Sequence, residues 1–340
     1  MFRFLTTPGY ESTAEAFVQP LPGSDVPRCE VTTYDAVLKS NHTVKAVHVF
    51  TDLERLSDSE LVAAATLYRA LREVSIPCLN DPARVMVRYQ LLCSLFEEGI
   101  NSFAAYRADG QPKPARFPVF VRNESDHNGP MSALLKDQEE LDDYLKRLVD
   151  GGRPLRGLLV IEYAAEPEQS GIWRRYETHR IGKNNSVWHQ YLSDNWVNKN
   201  YGQHLTSDAL QLEERAAMIA NKVPDNVRRA FDIAGVEWGR ADHATFRGRD
   251  VVYEINTAPH AWVTEPYGNK IRSESKRIGL DRMYALLREI DWGDGTAVRY
   301  RQGRPWRRFA ESQRIRRLLV PIWRRVPENQ LRRLIKRIVS

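Results

Sequence analysis

The stretch "GRADHATFRGRDVVYEINTAPH" concentrates side chains that could bind a cation. Arg240 and Asp242 share one face of a predicted strand, and Glu254 and Asn256 share one face of the next, because alternate side chains of a strand point the same way. Gly248 supplies the positive φ of a tight turn between them. A hairpin centred on this glycine places Asp242 opposite Glu254, where two like charges destabilise a sheet. We therefore expect a cation between the two carboxylates.

Oxygen donors of this kind favour Mg²⁺. Asp242, Glu254 and Asn256 offer two carboxylates and an amide, and three protein ligands leave positions for water and phosphate. The alternative is a surface ion pair between Arg240 and one acid, since short patterns of this kind are common by chance. The alternation also assigns the neighbouring apolar side chains: Val252 joins Glu254 and Asn256, whereas Val251, Tyr253 and Ile255 take the opposite face.

The N-terminal part of the chain predicts a small α/β unit. Its first residues are interrupted by proline and glycine and are expected to be irregular. "VKAVHVF" (44–50) then predicts a buried strand, and residues 57–74 predict a helix with Ser57 as its N-cap. "IPCLN" follows as a short strand or loop. This β–α–β order is typical of an open α/β sheet.

Residues 81–100 predict a helix that carries an arginine of interest. Asp81 is its expected N-cap, Pro82 its first helical residue and Gly99 its end. Arg88 lies at the edge of the expected apolar stripe, which consists of Val85, Tyr89, Leu92 and Phe96.

The remaining elements alternate between strands and helices. Residues 155–165 are almost entirely apolar and predict a strand that is buried on both faces. Asp137 and Glu140 have the spacing of a capping box. The other expected elements are strands at 117–123 and 171–184 and helices at 136–152, 207–221 and 225–234.

The motif Arg240-Ala241-Asp242, followed by a hairpin and Glu254-Ile255-Asn256-Thr257-Ala258-Pro259, resembles the signature of the ATP-grasp superfamily. The likeness is to the catalytic half of D-alanine–D-alanine ligase and related carboxylate–amine ligases. It covers about residues 60–265 and is strongest over 225–260. By resemblance, Asp242, Glu254 and Asn256 hold Mg²⁺ against the phosphates of ATP, and Arg240 stabilises the transferring phosphoryl group or the acyl-phosphate.

The resemblance also assigns nucleotide-binding positions. It places Val160, Ile161, Glu162 and Tyr163 at the purine edge, with Glu166 or Glu168 at the ribose, although Glu162 could instead reach solvent. Arg122 and Arg88 stand where the family has phosphate-binding lysines. Arginine can grip phosphate with two donors, but it does not replace lysine without a change of geometry. The loop "ESDHNG", with His127 and Gly129, takes the place of the family's glycine-rich lid.

The resemblance implies an ATP-grasp fold of the α/β class. We expect an N-terminal α/β domain (1–80), a small ATP-binding subdomain (81–160), a catalytic subdomain (161–298) and a basic tail (299–340). The implied reaction joins a small-molecule or peptide carboxylate to an amine, with ATP and Mg²⁺, through an acyl-phosphate. The alternative is a degenerate nucleotide-binding module without turnover. No general base is distinguished among the histidines of the catalytic half, which are His179, His189, His204, His243 and His260.

The charge is divided unevenly along the 340 residues. The chain has 50 Lys and Arg against 44 Asp and Glu, and 14 of these basic and two of these acidic residues lie in 299–340, which leaves 36 basic and 42 acidic residues elsewhere. The tail predicts an amphipathic helix that packs on the body, or that docks on an anionic membrane surface or an acidic partner. Nucleic acid is the least favoured partner, since no motif supports it.

Three cysteines without metal-ligand spacing and the absence of an apolar leader predict a cytoplasmic protein, either free or peripheral at the inner face of the membrane.

Overall fold

The structure is a computed structural model of the chain. It describes residues 1–301 except positions 21, 127, 169, 198–204, 206 and 262–269. The predicted helical tail, His127 and His204 therefore lie outside the described residues, apart from the first three positions of the tail. No helix within the described ranges combines the length and apolar character that a membrane span requires.

The described chain alternates between strands and helices. The strands are β1 (Phe2–Thr6), β2 (Cys29–Thr33), β3 (His42–Val44), β4 (Val47–Phe50), β5 (Cys78–Leu79), β6 (Ala105–Arg107), β7 (Val119–Asn123), β8 (Leu158–Glu162), β9 (Trp173–Ile181), β10 (Asn184–Ser193), β11 (Trp238–Phe246), β12 (Arg249–Asn256) and β13 (Ala297–Arg299). The α-helices are α1 (Glu15–Val18), α2 (Tyr34–Leu38), α3 (Asp58–Glu73), α4 (Arg88–Glu97), α5 (Gln138–Asp150), α6 (Asp208–Ala220), α7 (Asp225–Ala234) and α8 (Lys270–Glu289). The predicted α/β class is confirmed.

The N-terminal unit is a parallel sheet with the strand order β2-β1-β4-β5. The helix expected after Ser57 is confirmed as α3, and the main-chain N–H of Ser57 donates to the Glu60 carboxylate at 2.8 Å, as in a capping box. The expectation of an irregular start was wrong for Phe2–Thr6 and Cys29–Thr33, which pair in parallel as β1 and β2 over five residues each. Each of these strands is short, and the pairing that stabilises it joins residues far apart in sequence.

The predicted helix 81–100 begins later than expected, at Arg88. The N–H groups of Arg84 and Val85 bond to the carbonyl of Asp81 and form a single turn. The N–H of Met86 then bonds to the carbonyl of Ala234 at 3.0 Å, outside the helix. This tertiary hydrogen bond diverts the backbone, so the predicted N-cap at Asp81 was wrong for α4.

The buried face of α4 also differs from the predicted stripe. Leu91, Leu92 and Leu95 are buried, whereas Phe96 is 46% exposed. Arg88 lies one turn before Leu91 and Leu92 and is buried with them. Helix α4 contacts β6 and β12, which belong to two different sheets, and these contacts decide which face of the helix is buried. Arg88 therefore faces the protein interior.

Two antiparallel sheets follow the N-terminal unit. The first has the order β6-β8-β7 and carries α5, whose N-cap Asp137 accepts a hydrogen bond from the Glu140 N–H at 2.9 Å. All five residues of β8 are buried, as its composition predicted. The second sheet has the order β10-β9-β11-β12, with α4 and α7 packed on β12 and α6 and α8 packed on β10. The predicted helices at 207–221 and 225–234 are confirmed as α6 and α7.

The hairpin of β11 and β12 contains a β-bulge. Its turn is formed by Arg247 and Gly248, both with positive φ, rather than by Gly248 alone. Asp242 nevertheless pairs with Glu254, because the register shifts by one residue at Tyr253. The bulge also moves the side chains that precede it to the opposite face of the sheet. Val252 therefore packs in the same core cluster as Ile255, and its predicted place beside Glu254 was wrong.

The segment after α8 returns to the N-terminal unit. β13 pairs with β3, and the Tyr300 hydroxyl donates to the carbonyls of Val37 at 2.8 Å and Ser40 at 2.7 Å. Tyr300 is buried in the core of that unit.

Candidate functional site

A cavity of about 180 Å³ lies between the two antiparallel sheets. Aromatic side chains form much of its wall. The centroid of the Trp196 ring lies 5.3 Å from that of Phe120 and 5.6 Å from that of Tyr163. Its charged lining includes Arg122, Arg174, Arg175, Glu166, Asp242 and Glu254. Aromatic walls favour a flat ring, and a cluster of arginines favours an anion.

Three carboxylates lie side by side across three adjacent strands. In the register of the sheet, Asp242 pairs with Glu177 of β9 on one side and with Glu254 of β12 on the other. The Glu177 and Asp242 side chains are only 1% and 2% exposed, and that of Glu254 is 14% exposed. Three neighbouring acids, two of them buried and one partly buried, require compensating positive charge.

Guanidinium groups supply that charge. Arg175 contacts Glu177 at 3.2 Å and Asp242 at 3.0 Å, and Arg240 contacts the same two acids at 3.3 and 2.9 Å. Glu254 forms ion pairs with Arg88 and with Arg122, the latter at 3.5 Å. In this structure separate arginines therefore compensate the acids: Arg175 and Arg240 lie at Asp242 and Glu177, and Arg88 and Arg122 lie at Glu254.

The buried charges shift each other's protonation. Burial lowers the pKa of Arg240 and of Arg175, but the Asp242 and Glu177 carboxylates raise both overall. Burial, together with the charge of Arg88, lowers the pKa of Arg122 to about 10. Burial raises the pKa of Glu177 to about 7, against the opposing effect of Arg240 and Arg175. All three arginines remain charged at neutral pH.

The predicted metal ligands occupy one side of the hairpin. Asn256 pairs with Arg240, two residues along each strand from the Asp242–Glu254 pair. Its side-chain oxygen accepts a hydrogen bond from the Ala258 N–H at 2.7 Å. Within the described ranges, no group of three His, Cys, Asp or Glu side chains is arranged to hold a metal ion. A metal at this site would use the amide oxygen as well as the carboxylates.

The predicted nucleotide residues of β8 divide between two faces. Ile161 and Tyr163 line the cavity and Glu162 also contributes to its lining, whereas Val160 packs in the core beneath α5. The Glu162 N–H bonds to the carbonyl of Ala104 at 3.0 Å, and the Tyr163 N–H bonds to the carbonyl of Pro118 at 2.9 Å. These two N–H groups therefore serve the sheet.

The Glu162 carboxylate anchors a neighbouring loop. It accepts hydrogen bonds from the N–H groups of Ala104, Ala115 and Arg116, each at 3.1 Å, and from the Tyr106 hydroxyl at 3.0 Å. The Arg116 guanidinium adds two contacts at 3.0 and 3.1 Å. These contacts fix the loop that precedes β7.

The two candidate ribose ligands have different surroundings. Glu168 pairs with the Arg174 side chain at 2.6 Å. Glu166 lines the cavity and accepts a hydrogen bond from the Arg247 N–H at 2.7 Å. The structure thus brings Glu166, rather than Glu168, to the cavity wall.

Sequence reasoning missed Glu177 and Arg175. Both lie in "WRRYETHR", where alternation puts them on one face of β9. That alternation was visible, but only the pairing of β9 with β11 brings this face to Asp242. His243 on the neighbouring strand contacts Thr178 at 3.0 Å, and the ring of His179 packs against Trp188. Burial lowers the pKa of His179 to about 3 and of His243 to about 4, so both are neutral.

Comparison with known proteins gives structural similarities alone. No family model matches the chain, and no curated protein matches it significantly. A crystal structure of D-alanine–D-alanine ligase from Bacillus anthracis complexed with ATP is 12% identical, with a TM-score of 0.45, over 84% of this chain and 99% of that chain. An L-amino acid ligase from Bacillus licheniformis is 13% identical, with a TM-score of 0.41, over 75% and 66% of the two chains.

Proposed function

We propose that this chain is an ATP- and Mg²⁺-dependent ligase that joins a carboxylate to an amine through an acyl-phosphate. The observation that carries the proposal is the directly opposed pair Asp242 and Glu254 at the wall of an aromatic cavity, with arginines on both acids. These acids belong to the motif that resembles the ATP-grasp signature. Phosphoryl transfer depends mainly on positioning and charge neutralisation, which such a cluster can supply.

The cavity suggests how ATP would be held. The purine would lie among Tyr163, Trp173 and Trp196, and Glu166 would contact the ribose. Arg122 and Arg175 line the same cavity and would bind the phosphates through charge-assisted hydrogen bonds.

Asp242, Glu254 and Asn256 fit Mg²⁺ by the chemistry of their donors. Each presents oxygen, and the two carboxylates line the cavity where the phosphates would lie. The carboxylate oxygens contact arginines, so metal binding would exchange a guanidinium for the ion at each acid. When bound, Mg²⁺ would supply charge neutralisation at the phosphates.

The arginines of the cluster would stabilise the reacting groups. Arg240 stays protonated because Asp242 and Glu177 raise its pKa, so it can stabilise charge on the transferring phosphoryl oxygens or on the acyl-phosphate. Arg175 touches the same two acids and reaches the cavity, where it can orient the phosphate. Burial of the cluster strengthens these interactions, because water competes less for the charges.

A second candidate function is a nucleotide-binding module without turnover. By the resemblance, Arg88 and Arg122 take the positions of the family's two phosphate-binding lysines, and both form ion pairs with Glu254. A carboxylate that is already paired with arginine has less need of a metal ion. Such a site can bind nucleotide weakly with metal, or bind it without metal.

Nucleotide titration by calorimetry tests the proposal. We expect ATP to bind wild type tightly only with Mg²⁺, and Glu254→Gln to weaken this binding at least tenfold. Glu139→Gln, on the exposed face of α5, is the matched control and is expected to bind as wild type does. Binding that needs no metal and is unaffected by Glu254→Gln would contradict the ligase.

A second assay separates the ligase from the module. ADP release is followed over a panel of carboxylates, each with a set of amines. Turnover with any pair supports the ligase, whereas tight binding of Mg·ATP without turnover on the whole panel supports the module.

A further inference from the structure

Arg88 contacts two separate parts of the site. One terminal nitrogen of its guanidinium, Nη1, donates to the main-chain carbonyls of Asn123 at 3.2 Å, Glu124 at 2.7 Å and Asp126 at 3.0 Å. The other, Nη2, forms an ion pair with Glu254. The Arg88 side chain is only 6% exposed, so these protein groups take the place of water around it.

The three carbonyls belong to a turn that follows β7, which we call the 123–126 turn. Their convergence on one nitrogen concentrates negative partial charge, which a buried cation neutralises. The turn leads directly from Arg122, a cavity-lining residue, towards Gly129 on the same wall. The position of this wall therefore depends on what holds the turn.

The ion pair of Arg88 and Glu254 joins two residues that line different cavities. Glu254 lines the large aromatic cavity, whereas Arg88 lines a smaller one of about 50 Å³ together with Leu53, Ser125 and Thr257. Arg88 thus lies behind the wall of the large cavity, with both terminal nitrogens directed at protein groups.

We propose that Arg88 is a positioning residue that ties the 123–126 turn to Glu254, rather than a ligand of phosphate. The planar guanidinium presents one nitrogen to the turn and the other to the carboxylate, whereas an ammonium group would have to serve both from one nitrogen. Arg88 thereby helps to set the distance between the arginine-bearing wall of one sheet and the acid of the other. Arg122 makes longer contacts with the same two groups, at 3.3 Å to the Asp126 carbonyl and 3.5 Å to Glu254. The consequence for catalysis rests on the proposed function, but the structural role does not.

Hydrogen exchange of the nucleotide-free protein tests this role without any need for turnover. In Arg88→Lys we expect exchange of the 123–126 turn to become at least tenfold faster, because a charge-assisted hydrogen bond to the turn is lost. Arg88→Met, which removes the charge, should give the same increase as Arg88→Lys, which keeps it. The charge alone does not replace the two-nitrogen contact of the guanidinium. The matched control is Arg153→Lys, an exposed arginine that reaches the same turn through the Asn123 side chain at 2.9 Å and should leave exchange unchanged.

Either of two results would overturn the proposal: wild-type exchange of the turn in Arg88→Lys, or an equal increase in Arg153→Lys. If Arg88→Lys fails to fold, Glu254→Gln provides the second variant. This substitution weakens the ion pair between Arg88 and residue 254, which should also speed hydrogen exchange of the turn. Unchanged exchange in Glu254→Gln would refute the bridging role.

A kinetic arm separates positioning from phosphate binding. For Arg88→Lys we expect kcat to fall at least tenfold while KM for ATP stays within twofold of wild type, whereas a lost phosphate contact raises KM. A raised KM with unchanged kcat would overturn the positioning role. Absence of turnover in wild type would count against the ligase, and the exchange experiment would still decide the role of Arg88.

Discussion

Substitution of Glu162 by glutamine is expected to destabilise the β6-β8-β7 sheet without weakening nucleotide binding. The Glu162 carboxylate is buried and accepts hydrogen bonds from the N–H groups of Ala104, Ala115 and Arg116 and from the Tyr106 hydroxyl. Glutamine has the same shape, but its amide nitrogen cannot accept hydrogen bonds from these donors. At least one buried donor therefore loses its partner, and the remaining bonds lose their charge.

The magnitude follows from the contacts. A hydrogen bond to a charged group contributes roughly 1.5–3 kcal/mol, and a buried donor without a partner costs about 1–3 kcal/mol. The contacts with the Arg116 guanidinium count for less, because that side chain is 40% exposed and screened by solvent. We expect the free energy of unfolding to fall by about 2–4 kcal/mol.

Urea denaturation, together with hydrogen exchange of β8, measures this change, and calorimetry measures ATP affinity. Glu168→Gln is the control: its carboxylate is partly exposed in its pair with Arg174, so a loss of no more than about 1 kcal/mol is expected. Unchanged stability of Glu162→Gln with a tenfold weaker affinity for ATP would refute the reasoning, because the carboxylate would then contact the nucleotide.

Two further predictions concern stability. Burial lowers the pKa of His48 from 6.5 to about 4, so the unfolded state binds more protons between these values and stability falls as the pH drops through this window. His48→Gln should reduce the slope of the unfolding free energy against pH in this window by about one proton, or about 1.4 kcal/mol per pH unit. Acid titrations of the unfolding free energy measure this slope, and equal slopes for variant and wild type would contradict the prediction. A Cβ on Gly279 would lie 2.6 Å from Met218 and 2.8 Å from Trp188, so Gly279→Ala should cost roughly 1–3 kcal/mol in thermal melts even though alanine favours helices. Gly110→Ala, whose Cβ meets nothing within 4 Å, is the control, and equal melting temperatures for the two variants would argue against the clash.

Local signals predicted much of the secondary structure. Ser57 as N-cap marked the start of α3, and the spacing of Asp137 and Glu140 marked the start of α5, because capping depends on residues close in sequence. Gly99 marked the end of α4, which stops at Glu97, two residues before this glycine with positive φ. Such features depend on neighbours in sequence and can be recognised without the fold.

Other features depended on distant partners. The start of α4 moved to Arg88 because Met86 bonds to Ala234, a residue almost 150 positions away. The pairing of Asp242 with Glu254 was predicted from a turn centred on Gly248, whereas a bulge at Tyr253 produces it. A bulge lacks a reliable signature in one sequence, since its position is set by packing on both faces of the sheet.

The sequence by itself determined the chemistry of the hairpin: two carboxylates, an amide and an arginine on strands that alternation directs to one side. Only the tertiary structure decided which charges surround them. β9 brings Glu177 and Arg175, while α4 and β7 bring Arg88 and Arg122. The reason is physical: alternation along a strand is local, but the compensation of a buried charge requires groups from other elements, and their approach is set by the packing of the sheets and helices.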